Sequence, residues 1–225
     1  MDETRVKALA AEVERLAAAA LGAGPIDEAG CGGLLARVEE RIARALAPEE
    51  IARPACGPGC SACCTVNVAT LPLEGIAVAG YLRRALGPAE AARRGTALLA
   101  FHAQVRWCDD ADRIRGRLTC PFLDRAGTCL VHPVRPLACR EVSSLDAGAC
   151  GQALRERAAE EGDGLVRMNL AQRALYGGAR EALAAALAAR GLDARVRDVS
   201  GMAGHFLADG GLVQAYAAGG KVPLS

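Results

Sequence analysis

Cys56-Gly57-Pro58-Gly59-Cys60-Ser61-Ala62-Cys63-Cys64 is the stretch on which the reading of this chain turns. Its proline and glycines exclude a regular helix or a central strand, so four thiols sit on a folded loop with a task. Two thiolates separated by two residues, as Cys60 and Cys63 are, can turn toward one metal. The loop curls its backbone around the ion, and glycine permits the dihedrals that this requires. A second group, Cys120, Cys129 and Cys139, has eight and nine residues between its members, and 55 residues separate the two groups. A metal with ligands from both would pin the two loops together, making binding and folding one event.

Outward from the loop, the flanks read as helices. Val6, Leu9, Val13, Leu16 and Ala20 recur at helical intervals over residues 3–21, ended by Gly22, Gly24 and Pro25. Leu34, Leu35, Val38, Ile42 and Leu46 repeat the pattern up to Pro48. These two helices predict a hairpin over residues 1–50. Pro72 stands where a first helical turn tolerates it, Ile76, Ala77, Tyr81 and Leu82 follow, and Gly87-Pro88 ends that helix before another runs to Trp107. Two short apolar pieces around Asp124-Arg125-Ala126-Gly127 predict a hairpin-like turn over residues 117–131, each piece carrying a cysteine. Beyond Cys150, Leu165, Met168, Leu175, Leu183 and Leu187 predict helix, broken at Gly177-Gly178 and Gly191, and residues 199–217 form a last amphipathic segment. The expected fold is mainly α, with helices surrounding an irregular cysteine-rich metal-binding core and a short hairpin. A helical hairpin (1–50), a cysteine-cluster metal-binding domain (51–150) and C-terminal helices (151–225) make one compact unit.

Ala dominates the apolar fraction and aromatics supply only 3% of the 225 residues, so the core is built of small side chains. Each buries little area, and a metal cross-link would add usefully to such a core. Twenty-seven basic residues balance twenty-six acidic ones without blocks of one sign, which gives no support to nucleic-acid or membrane-surface binding. Met1-Asp2-Glu3-Thr4-Arg5 lacks the apolar core of a signal peptide, and no run approaches a membrane span. The expected location is a bacterial cytoplasm, where ten cysteines stay thiols unless a metal takes them.

The candidate metal ligands are therefore Cys56, Cys60, Cys63, Cys64, Cys120, Cys129 and Cys139. Seven exceed the four that one tetrahedral zinc or one cubane cluster requires. Of the vicinal pair Cys63-Cys64, one could ligate while the other packs, or each could serve a different metal. Several thiolates around a metal leave a negative site. Arg135 and Arg140 flank Cys139 and could donate to sulfur or to an anionic cofactor, with solvated surface arginines as the plain alternative. His132 could add a nitrogen ligand but reads as a surface residue of a Pro-rich turn. Cys31, Cys108 and Cys150 read as small buried hydrophobes, and His102 and His205 as packed side chains. Asp109-Asp110 reads as an acidic pair facing water.

The string from Cys56 to Cys64, with Cys120-Pro121-Phe122-Leu123, Gly127-Thr128-Cys129 and Arg135-Pro136-Leu137-Ala138-Cys139-Arg140, resembles the YkgJ-like cysteine-cluster family, also written CxxCxxCC. Its usual first interval is two residues, where Gly57-Pro58-Gly59 makes three here. The resemblance spans about residues 56–142 and implies chelation of zinc or iron. No dinucleotide fingerprint, phosphate loop, nucleophile elbow or zinc-protease string occurs. The leading expectation is an iron–sulfur cluster, of the 4Fe-4S type, used in electron transfer or in support of a partner protein's reaction. A structural zinc module presenting a partner surface is the alternative, since thiolate softness suits both metals. A thiol oxidoreductase or cluster-dependent enzyme comes third. A related cluster occurs in flagellin lysine methylases, but no S-adenosylmethionine loop is recognisable here.

Overall fold

Helical spacing of Leu9, Val13, Ala17 and Leu21 gives α1 (Glu3–Gly22) one buried face. Cys31, Leu34, Val38 and Ile42 do the same for α2 (Glu28–Ala45), which starts where the Asp27 carboxylate accepts from Gly30 N at 2.7 Å. These coordinates are a computed structural model describing residues 3–24, 26–51, 56–57, 59–160, 162 and 164–223. The chain continues through α3 (Pro48–Ile51), β1 (Ala69–Thr70), α4 (Pro72–Leu86), α5 (Pro88–Val105), α6 (Asp110–Arg115), α7 (Leu137–Glu141), α8 (Ala147–Ala159), α9 (Leu170–Ala189), β2 (Arg197–Asp198), α10 (Val199–Ala208) and α11 (Leu212–Ala217). The fold is mainly α.

Helix α4 lies at the centre, packed by α2 on one side and α10 on another, while α1 packs on α9 and α2, and α5 on α10. Close crossings need small residues. A Cβ at Gly201 of α10 would stand 2.7 Å from the His102 ring of α5, too close for any side chain, so glycine there sets the α5–α10 approach and His102 is a packed residue.

Three sequence expectations change. Helix α9 runs without interruption through Gly177-Gly178. Val6 of α1 presses against this point, where a Cβ at Gly178 would lie 2.8 Å from Val6 Cγ1. The glycine is thus spent on interhelical approach rather than on chain termination. Leu165 and Met168 precede the helix instead of lying in it. Met168 forms an isolated antiparallel bridge with Ser144, Leu165 is exposed, and Asn169 caps α9 through Gln172 N at 3.1 Å. The segment 199–217 splits into α10 and α11 where Asp209 turns the chain, its carboxylate accepting from Gly211 N at 2.8 Å. The antiparallel β1–β2 pair went unforeseen because two residues per strand show no alternation.

Buried Glu74, on the first turn of α4, joins the two halves of the cysteine region. Its Oε2 accepts from Leu71 N at 2.7 Å, and its Oε1 from Leu137 N at 2.6 Å, which fixes the start of α7. Burial pushes its carboxyl up to about 7, against the two amide donors that favour the charged form. Glu74→Ala leaves both amides without acceptors and should cost about 2–5 kcal/mol in urea unfolding, with Glu74→Gln costing less. The carboxyl is raised in the folded state, so its contribution is full below the unfolded value near 4.5 and fades as pH rises through about 7. Glu74→Gln should remove that part of the pH dependence. An unchanged stability–pH curve in this variant would show that Glu74 does not titrate there.

Candidate metal centre

Four segments deliver the thiols. The loop after Gly59, which holds a left-handed φ of 82°, closes with Cys60 N donating to Gly57 O at 3.0 Å and ends in a 3-10 turn, Ala62–Thr65. Cys63 and Cys64 lie on this turn. Cys120 N donates to Cys64 O at 2.6 Å, which ties the second cysteine group to the first through the backbone. The predicted hairpin exists in its shortest form. Leu123 and Cys129 form an isolated antiparallel bridge, closed by Asp124 Oδ1 accepting from Ala126 N and Thr128 N at 2.8 Å each. Gly127, at φ 77°, makes the turn that brings Cys129 back. Helix α7 carries Cys139, oriented from its start by Glu74 and packed on α9.

The ten cysteines are all free thiols. Cys64 hydrogen-bonds Cys63, which draws the Cys63 thiol below its ordinary value, with Arg135 assisting; the same bond and burial push Cys64 up. Cys64 interacts electrostatically with Cys120 and Cys139, and Cys139 with Cys120, Cys63 and Cys129. Burial raises Cys120 to about 11, and it raises Cys129 and Cys139 as well. Cys63, Cys64, Cys120, Cys129 and Cys139 therefore form one neighbourhood. Cys56 and Cys60 are exposed, and the charges of Cys60 and Cys63 act on Cys56.

Among the described residues, no three His, Cys, Asp or Glu side chains already stand in an arrangement that would hold a metal ion. The thiols form a band that would have to close. The donor chemistry nevertheless suits a thiophilic metal, because five soft donors are gathered on segments otherwise tied together by backbone hydrogen bonds. Arg135 acts electrostatically on Cys63, Cys129 and Cys139, and its Nε is buried without a partner, a donor left over for an anionic centre. Arg140 is more committed. It pairs with Glu39 at 3.0 Å and donates to Pro133 O at 3.1 Å, knitting the turn before α7, while its charge still reaches Cys129.

Other candidates sort cleanly. Cys31 is in the core, its thiol pushed up to about 12 by burial, whereas Cys108, expected to be buried, is only half-buried and donates to Gln104 O at 3.5 Å. His132 is exposed on a 3-10 turn. The acidic pair after Trp107 is structural: Asp109 caps α6 through Asp112 N at 2.8 Å, and Asp110 accepts from Asn67 N at 2.8 Å. Cys150 departs from its sequence reading. It lines a cavity of about 490 Å³ together with Cys56, Cys60 and Cys63. The signal for it was the turn at Ser144-Leu145-Asp146, which returns the chain to the first cysteine loop: Ser144 N donates to Cys56 Sγ at 3.3 Å.

No helix among the described residues is long and apolar enough to cross a membrane. Neither the curated proteins nor the solved structures contain a significant match to the chain. Residues 55–159 match the model of the CxxCxxCC family, described as a "putative zinc- or iron-chelating domain". That span contains both cysteine groups and Cys150. Residues 55–159 are thus similar to the CxxCxxCC family, and metal binding is the property that this similarity supports.

Proposed function

We propose that the chain holds an iron–sulfur centre on the thiols of Cys63, Cys64, Cys120, Cys129 and Cys139, four of them ligating, in a reducing cytoplasm. Arg135 is the donor that offsets its negative charge, with Arg140 as a more distant cation. The observation that carries this reading is the convergence of five thiols beside the unpartnered Nε of Arg135. Such a centre would supply one-electron chemistry, used in electron transfer or in support of a partner protein's reaction. The packing of α1 on α9 and of α2 on α4 supports a single unit in which residues 1–50 and 151–225 frame the cysteine region 51–150.

A structural zinc site is the second reading, favoured by the Cys120 N to Cys64 O bond. That contact makes the thiols a junction between loops, as a closed tetrathiolate site would be. Anaerobic purification followed by a visible spectrum and assays of iron, zinc and acid-labile sulfide separates the two. The iron–sulfur reading requires brown protein with sulfide. Colourless protein with stoichiometric zinc would replace it with the zinc reading.

A further inference from the structure

The cavity of about 490 Å³ beside the thiols has the walls of a small-molecule site. Val66, Ile114, Leu154, Val166 and Met168 make it mainly apolar. Sites that hold small organic molecules run to roughly 300–1,000 Å³ and combine such walls with a few placed polar groups. Leu165 also lines the cavity and is 92% exposed, an apolar side chain that nothing among the described residues covers.

A hydroxyl is left over inside. Ser143 lines the cavity and is 3% exposed, yet its Oγ has no hydrogen-bond partner among the described residues. A buried hydroxyl without a partner costs free energy that a bound polar group would recover. The neighbouring Ser144 hydroxyl is by contrast engaged, donating to Asp146 O at 2.7 Å.

The charge beside Ser143 is positive. Glu141 on the cavity wall is shared by two guanidinium groups, Arg180 at 3.4 Å and Arg173 at 3.7 Å. One carboxylate offsets one of them, and Arg173, the more distant, lines the cavity with a side chain 56% exposed. Asp110, the other acid on the wall, is held by Asn67, whose backbone N and Nδ2 donate to its Oδ1 at 2.8 and 3.0 Å. Asn169 N donates to Ser143 O at 3.3 Å, and Arg173 N to Asn169 O at 3.0 Å, so the hydroxyl and the guanidinium stand at one end of the cavity.

We propose that this cavity binds a small organic anion with an apolar body, such as a medium-chain carboxylate. Its carboxylate meets Arg173 and the Ser143 hydroxyl, and its hydrocarbon tail lies against Ile114, Leu154 and Val166. The site goes beyond the thiolate centre and does not depend on it. Cys56, Cys60 and Cys63 line the same space, so the bound molecule lies beside the thiols.

The test uses the full chain, purified under argon, with anilinonaphthalene sulfonate as fluorescent probe and decanoate and decanol as competitors. Decanoate should displace the probe from wild type at a concentration about tenfold below that needed by decanol, which has the same tail without the charge. Arg173→Gln should weaken decanoate about tenfold and leave decanol unchanged. Ser143→Ala should weaken decanoate about threefold to tenfold. Leu154→Trp, which fills the cavity, should abolish displacement, and Trp107→Ser, at an exposed ring off the cavity, should match wild type. Far-ultraviolet circular dichroism identifies any variant that has not folded, and Arg173→Gln, at an exposed side chain, decides the matter if Leu154→Trp does not fold. Failure of decanoate to displace the probe from wild type, or equal displacement in wild type, Arg173→Gln and folded Leu154→Trp, would refute the site. Decanol competing as well as decanoate would overturn the assignment of an anion.

Discussion

Cys139→Ser should empty the proposed centre, leaving at least about tenfold less retained metal per chain after dialysis against a chelator. Cys139 stands at the start of α7, where Pro136 O accepts from its amide at 3.0 Å and Glu74 fixes the preceding Leu137. Its thiol neighbours Cys63, Cys120 and Cys129, with Arg135 beside them. Serine has nearly the same shape but a hard, weakly acidic hydroxyl, so the change removes a soft ligand with little effect on packing. A structural thiolate metal contributes about 10–16 kcal/mol of binding free energy that is also folding free energy. Cys139→Ser should therefore lower the thermal midpoint of the metal-loaded protein much more than that of the stripped protein. Cys31→Ser, in the core away from the band, should disturb stability without releasing metal. Equal metal in wild type and Cys139→Ser would remove Cys139 from the ligand set.

Arg113→Met should cost about 3–5 kcal/mol in urea unfolding, because it strips the partner from a buried carboxylate. Arg113 NH1 lies 2.9 Å from Asp198 Oδ2, and the two side chains are 2% and 7% exposed. The same nitrogen donates to Asn67 Oδ1 at 3.1 Å, and the guanidinium faces the Phe101 ring at 5.7 Å. Asp198 in turn caps α10 through Ser200 N at 3.0 Å. One cation thus joins α6, the segment after Cys64, and β2, and its loss should also loosen the 3-10 turn that carries Cys63 and Cys64. Arg113→Met combined with Asp198→Asn should recover part of the loss, since no unpaired charge is then buried. A penalty below about 1 kcal/mol for Arg113→Met alone would mean that water reaches Asp198 and that the pair is not a structural tie.

The helices bordering the cysteine region were legible because their apolar residues keep strict helical intervals: α1 and α2 follow the positions of Leu9, Val13, Val38 and Ile42. The Asp124–Gly127 turn was legible for a different reason, since an Asp two to four residues ahead of its amide partners and a glycine at positive φ form a local motif. Cysteine density marked the candidate site without any geometry. Glu74 was not legible: a glutamate early in a helix ordinarily faces water, and only the approach of Leu137, 63 positions away, makes it a buried acceptor. The place of Cys150 on the cavity that Cys56 lines was not legible either, because what returns the chain to Cys56 is Ser144, 88 residues beyond that cysteine.

The sequence by itself determined that this chain is helical and that its first thiols share a Gly- and Pro-rich stretch, because helical periodicity, turn chemistry and ligand type are properties of a few consecutive residues. Tertiary structure decided which thiols are neighbours, that the Nε of Arg135 is buried without a partner, and that Gly178 serves a crossing and not a break. Those outcomes depend on contacts between segments far apart in the chain, and local spacing carries no information about which distant backbone will arrive.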